Sequence, residues 1–468
     1  MKRLGMIALA CALASCGGKS GTITLTIVTS PTDDPFGAAA QVRVTVTGGS
    51  VQTFPVTNGM FDVKLNQMPG SSVEPIIVEA LDAGGNLLGW GETSPVSLVA
   101  ADAAYAVFIG RPGRFSTAPG ALPSARSEMA VAAVPLLGMV VAGGRDATGN
   151  PLKSTALYDV REHTVIQTAD MSEARAGAAG MFNSGLTAAV FGGSSAVGPG
   201  AFGMPSATVE LFDPTAGSGN GLWAPLPADM TDARSRADAT LLGSGATLIT
   251  GGADGNGAPL GTAAQVTADS APRLAAMGPM VAPRLGHAVA AVTFPDGPGA
   301  ILFGGLPAGS TAPNCERLLG QSFSQYTLTG VTSRTGTTAT TLPNGSVLFA
   351  GGHDDTGALA SGFLIQPTVP PTIGLLPSLM SSPRDGHTAT LLGNDVLLCG
   401  GVDASGKALG TCDLIDGQSF GIKETISLAH PRHGHVAALL VTGNVLIAGG
   451  LLADGTPTDS IEIFTPNR

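Results

Sequence analysis

The sequence predicts an all-β protein: a closed ring of seven four-stranded units, a β-propeller, behind a small β-sandwich. Three observations carry this. First, charged residues are 12% and aromatic residues 4% of the chain, while Gly (67) and Pro (33) are abundant. Long surface helices have little to build from, and short strands joined by glycine turns fit better. Second, a double glycine recurs at Gly143, Gly192, Gly251, Gly304, Gly351, Gly400 and Gly449, at steps of roughly 50 residues, the period of a propeller unit. Third, an arginine precedes each pair, at Arg126, Arg175, Arg234, Arg284, Arg334, Arg384 and Arg432, and four residues before it stands Leu122, Met171, Met230, Met280, Met380 or Leu428 in all units but the fifth. Three marks in phase define the repeat.

The amino terminus reads as a targeting segment. Lys2 and Arg3 precede the apolar run LGMIALACALA, which is too short to span a bilayer. LASCG follows, ending on Cys16 and Gly17, and resembles a bacterial lipobox. The resemblance implies cleavage after residue 15, lipidation of Cys16, a short tether over 16–21 and attachment to the outer membrane, since residue 17 is not Asp. The net charge is −11 and falls further when Lys2 and Arg3 are removed. That excludes a basic footprint for nucleic acid.

Residues 22–110 alternate apolar and polar residues in TITLTIVT, QVRVTVTGG, MFDVKLNQ, PIIVEALDAGGNLLGWGE and YAVFIG. These segments predict a β-sandwich, immunoglobulin-like in size. Residues 113–468 hold the repeats. In the fifth unit TGTTATTL, SVLFAGG, SGFLIQ and TIGLL read as four strands, with PNG as the first turn and HDDTGAL as a polar hairpin. The seventh unit ends at SIEIFTPNR, one strand short. GRFSTAPGALPSAR, ahead of the first unit, matches a fourth strand and is expected to close the ring, which removes exposed edges. Cys399 and Cys412 fall on neighbouring strands, where a bridge is possible, and Cys315 is left over.

The arginine with a downstream histidine, the double glycine, and third-strand segments such as VELFDP and IEIFTP resemble kelch repeats over roughly 113–468. Kelch units usually carry a Tyr and a Trp after the double glycine. Here Tyr158 and Trp223 survive, and Phe212, Phe363 and Phe464 partly replace the rest. The kelch resemblance implies a partner-binding face on the side where the arginines begin the first strands. It also admits enzymes, namely copper radical oxidases and a sugar epimerase. A copper oxidase would need a cysteine-linked tyrosine radical with further Tyr and His ligands, and the chain has only Tyr105, Tyr158 and Tyr326.

Two readings of the arginines stand. Each pins its own unit by bonding nearby carbonyls, which repetition in every unit favours; or together they line a mouth for an anionic peptide or acidic glycan. His287, His387 and His435 sit three residues after their arginines, too far apart around a ring for one metal site. His430, His433 and His435 in HPRHGH read as exposed loop. Asp146, Asp254, Asp354 and Asp403 in GGxDxxG, with Asp355 beside the third, read as turn caps rather than calcium ligands. The 194–207 loop of the second unit would expose Phe202 and Met204 on the arginine face. The function expected is a lipid-anchored scaffold that binds a protein or glycan partner, with no cofactor. The alternative is a carbohydrate-active enzyme of epimerase or hydrolase type.

Overall fold

The structure is a computed structural model; it describes residues 6–7, 23–46, 51–57, 73–97, 103–183, 187–198, 201–217, 220–269, 271–306, 310 and 312–468. Cys16 and the strand expected at MFDVKLNQ lie outside these residues. Among the described residues no helix is long and apolar enough to cross a membrane.

Between residues 114 and 465 the described residues form seven four-stranded antiparallel sheets. Six are simple meanders. In the fifth unit, Thr338–Thr341, Val347–Ala350, Gly362–Gln366 and Thr372–Leu376 pair in sequence order. The seventh is completed from the other end of the propeller: Arg114–Thr117 pairs with Ile461–Thr465, Phe115 opposite Phe464. The first strand of each unit packs against that of the next, and Val436–Leu439 of the seventh packs against Ala130–Val134 of the first. The sheets thus close into a ring, the arrangement of a β-propeller.

The burial pattern follows the layering. Second strands such as Val347–Ala350 and Gly138–Ala142 are buried throughout, whereas fourth strands such as Thr164–Gln167 lie at the rim with exposed ends. Adjacent sheets share their apolar faces, as the continuous runs in the second strands require. Val140 and Leu157 of the first unit pack with Val190 and Phe212 of the second. Phe303 of the fourth meets Phe349 and Phe363 of the fifth at 5.3 and 4.7 Å between ring centroids. Cys399 and Cys412, directly opposite on adjacent strands, form a disulfide inside the sixth unit.

The repeated residues explain how one unit is joined to the next. Each arginine's backbone carbonyl accepts a hydrogen bond from the second glycine of the preceding unit: Gly144 to Arg175 at 2.9 Å, Gly193 to Arg234 at 2.8 Å, Gly252 to Arg284 at 3.0 Å, Gly305 to Arg334 at 3.0 Å, Gly352 to Arg384 at 2.9 Å and Gly401 to Arg432 at 3.0 Å. Gly450 to Arg126, at 2.9 Å, closes the circle. The first glycine must also be glycine. At Gly351 φ is +59°, and a Cβ there would lie 2.6 Å from the Arg384 carbonyl oxygen; at Gly400 φ is +60° and the Arg432 oxygen would lie 2.5 Å away. Both the backbone conformation and the close approach exclude a side chain.

The amino-terminal region packs two sheets on one core. Ile23–Thr29 runs parallel to Ala103–Ile109, and the second sheet has the order Val51–Pro55, Gln41–Val46, Ile76–Leu81, Leu87–Glu92. Leu25, Val107 and Ile109 of the first meet Val42, Val44 and Val78 of the second. The far end of the chain docks here: Trp90 Nε1 donates to the Pro466 carbonyl at 2.9 Å, and Arg468 pairs with Glu79 at 2.6 Å. Phe108 enters the apolar cluster shared by the first and seventh units.

Arg284 and Glu316 are both fully buried and paired at 2.9 Å. Arg284→Ala leaves that carboxylate buried without its cation, at a cost of about 3–5 kcal/mol. Arg334→Ala, whose guanidinium has no such partner, costs about 1–2 kcal/mol. Calorimetric melting of the two variants is expected to rank them in that order; equal shifts contradict it.

Candidate functional site

The seven arginines do not ring an open mouth. Six are 0–1% exposed and Arg334 is 8% exposed. Each sends Nη1 to the carbonyl of the first glycine of its own unit, for example Arg175 to Gly192 at 2.8 Å and Arg234 to Gly251 at 2.9 Å. In four units a buried carboxylate on the third strand completes the pairing: Glu210 with Arg175 at 2.7 Å, Glu316 with Arg284, Asp413 with Arg384 at 3.1 Å and Glu462 with Arg432 at 2.5 Å. In the first and third units hydroxyls serve instead. Arg126 Nη2 donates to Ser124 and Ser154, and Arg234 Nη2 to Thr262 at 2.8 Å. The expectation that Arg126, Arg175, Arg234, Arg284, Arg384 and Arg432 face a ligand is corrected: their donors are turned to their own units.

The fifth unit is the exception. Gly330 occupies the place of the Leu or Met found in the other six, and nothing lies within 4 Å of where its Cβ would sit. Elsewhere that side chain covers the glycine turn of the preceding unit, as the Met380 methyl of the sixth unit would meet a Cβ on Gly351 of the fifth at 3.1 Å. The third-strand position that holds an acid in four units is Phe363, whose ring lies 5.5 Å from the Arg334 guanidinium carbon. Arg334 spends only Nη1, on Gly351 and Ser361 at 3.2 Å each and on the Ser361 hydroxyl at 3.4 Å. Its Nε is buried without a partner, and its Nη2 has none among the described residues.

Arg334 lines a cavity of about 600 Å³ whose described wall residues are polar except for Leu306. Thr332, Ser333, His353, Asp354 and Asp355 contribute to it. His353 is held by the Thr335 hydroxyl at 2.9 Å and by Asp385 at 3.0 Å. The Thr356 hydroxyl and the Arg334 charge keep the Asp354 carboxyl below the usual carboxylate range.

The second feature of this face is the 194–207 loop. Met204 is 69% exposed, as the sequence suggested. Phe202 is not: it lies half-buried under Arg236, 4.5 Å from the guanidinium carbon to the ring. Arg145 holds the loop through the carbonyls of Ala196 and of Ala201, the latter at 3.1 Å, and pairs with Glu128 at 3.0 Å. Glu128 and Arg236 have φ of 55° and 53° at the position where the other five units carry glycine. Two side chains are thus kept in a left-handed conformation, at about 1 kcal/mol each, where they meet each other at 3.8 Å.

The histidines are structural. Nε2 of His287, His387 and His435 lies 2.8, 3.0 and 2.9 Å from the hydroxyls of Thr250, Thr338 and Thr388 in the preceding units. His435 is therefore a buried link between units, which corrects its placement in an exposed loop; the His430 side chain is 53% exposed. The aspartates of GGxDxxG cap their turns: Asp146 accepts from the amides of Thr148 and Asn150, and Asp403 from those of Ser405 and Lys407. Among the described residues no group of three or more His, Cys, Asp or Glu is placed to hold a metal ion. The Tyr326 hydroxyl donates to the Thr368 carbonyl at 2.5 Å, and burial pushes that phenol up to about 12. Cys315 lies in the same cluster as Tyr326, a neighbouring-strand proximity that the sequence reading had not found. Tyr158 is buried and bonded to His163 at 3.0 Å.

No protein-family model matches the chain, and no curated protein matches it. Among solved structures it is similar to a novel fungal alcohol oxidase of the AA5 family in complex with copper, with a TM-score of 0.56, 15% identity and 76% of each chain covered. What the two share is the fold. A likeness at this identity carries no copper centre with it.

Burial holds His287, His387 and His435 at about 3 and His163 at about 4, below the ordinary 6.5. As pH falls below 6.5 the unfolded chain takes up protons that the folded one refuses. Each histidine then withdraws about 1.4 kcal/mol of stability per pH unit, down to its folded value. Asp238, raised by burial to about 6, and Glu92, also raised by burial, act in the opposite sense. Melting temperature is expected to fall steadily from pH 6.5 to pH 4, and a His287→Gln, His387→Gln, His435→Gln variant to flatten that slope. An unchanged slope contradicts the linkage.

Proposed function

We propose that this chain is a seven-bladed kelch-type propeller, carried on an immunoglobulin-like sandwich, that binds a protein or glycan partner through its arginine face. It is anchored by a lipid on Cys16 in the cell envelope, at the outer membrane. The Cys399–Cys412 bridge supports an oxidising compartment. The observation that carries the binding reading is the fifth-unit cavity. There a repeat arginine that keeps its Nε unspent itself lines a polar pocket of ligand size. The exposed Met204 and the second cavity beneath it, lined by Glu173 and Ser206, extend the same face.

A second reading, a carbohydrate-active enzyme, is favoured by the oxidase among the structural neighbours and by Asp354 and Asp355 sharing the cavity with His353. Paired carboxylates on one wall are what glycoside hydrolysis needs.

The mature chain with Cys16→Ser, applied to a glycan, peptidoglycan and peptide array, is expected to retain a small set of ligands. Chromatography of those ligands after incubation separates the two readings, since a binding module returns them unchanged. Release of product assigns an enzyme. Failure to retain anything on the array contradicts the binding proposal. Membrane fractionation of wild type against Cys16→Ser tests the anchor; equal partition rejects it.

A further inference from the structure

We infer that the fifth-unit cavity takes a polyhydroxylated ligand bearing a single carboxylate, a uronic-type sugar, with the carboxylate on Arg334. This rests on the binding reading above and names its ligand class.

The argument starts from what the unit has lost. In the second, fourth, sixth and seventh units a buried carboxylate sits on the third strand against the arginine. Phe363 replaces it here, so the internal anion is missing while the cation remains. Arg334 Nε is buried without a partner, as are those of Arg175 and Arg384, but here no carboxylate accompanies the guanidinium and Nη2 bonds to no described residue. Two adjacent N–H donors in a rigid plane match a carboxylate better than any other small anion group of single charge. Buried on the Phe363 face, the pair gains from reduced water competition.

The rest of the wall sets what surrounds that carboxylate. Thr332, Ser333 and His353 offer hydroxyl and ring groups, and Asp355 offers an exposed acceptor. Such a lining suits sugar hydroxyls, which donate to carboxylates and accept from hydroxyls. Among the described residues it gives no apolar platform beyond Leu306. Asp354 and Asp355 put negative charge beside the cation. A doubly charged phosphate or a polysulfated sugar meets that repulsion in full, while a monocarboxylate meets least of it. The cavity, at about 600 Å³, admits one or two sugar rings.

The test is calorimetric titration of the mature chain, Cys16→Ser, with galacturonate, with neutral galactose and with a disulfated galactose. Galacturonate is expected to bind at least tenfold tighter than either. Arg334→Gln is expected to weaken it at least tenfold, and Asp355→Asn, a change on an exposed residue, to strengthen it and to admit the sulfated sugar. Melting curves of both variants establish that they are folded; if Arg334→Gln does not fold, Asp355→Asn still decides the charge argument. Equal binding of the neutral sugar, or acid binding untouched by either variant, overturns the carboxylate assignment and leaves the wider binding reading standing. No heat with any of the three sugars overturns the assignment as well, and the array then decides whether the binding reading falls with it.

Discussion

A buried arginine placed against a pair of glycines is the interaction on which this structure depends. The side chain binds the carbonyl of the first glycine in its own unit, while its backbone carbonyl receives the second glycine's amide from the unit before. One residue therefore ties the inside of a sheet and the seam between two sheets. Burying a cation is costly unless every donor is matched. The chain matches most of them, with carbonyls in every unit, with carboxylates in four and with a hydroxyl on Nη2 in five, and leaves Nε of Arg175, Arg334 and Arg384 without a partner. Glycine is required because the next unit's carbonyl occupies the volume a side chain would fill.

This arrangement also accounts for the shortage of aromatic residues. Aromatic contact between sheets is made by Phe303 with Phe349 and Phe363, while Phe212 and Trp223 pair across strands of a single sheet. Elsewhere Ala, Val and Leu fill the seams, as at Val140 and Val190. Polar links take part of the load: the three histidine–threonine bonds cross seams between the third and seventh units. Closure is covalent in sequence at one end only, since Arg114–Thr117 completes the seventh sheet.

Much of this was legible from residues alone. The phase of the glycines and arginines located the units. The missing last strand and the spare first one foretold how Phe115 would meet Phe464. The turn aspartates and the strands of the fifth unit followed from local rules. What could not be read was direction. An arginine beginning a strand can point inward or outward with the same spacing, and the deciding partners, such as Glu316 and Glu462, lie about 30 residues further on. Phe202 was misplaced for the same reason: Arg236, which covers it, sits in another unit. The missing anion at Arg334 did leave a trace, Phe363 where four units carry an acid, but that replacement acquires meaning only once the ring is seen beside the guanidinium.

Native-state hydrogen exchange at the second glycines addresses the clasp most directly. The amides of Gly144, Gly193, Gly252, Gly305, Gly352 and Gly401, with Gly450 at the closure, all donate across a seam to an arginine carbonyl. If these bonds hold the ring together, the seven amides exchange only when the propeller opens as a whole, with Gly450 as slow as the rest. Exchange at Gly450, or at several of these glycines, as fast as in the exposed Asp403–Lys407 turn would contradict the account.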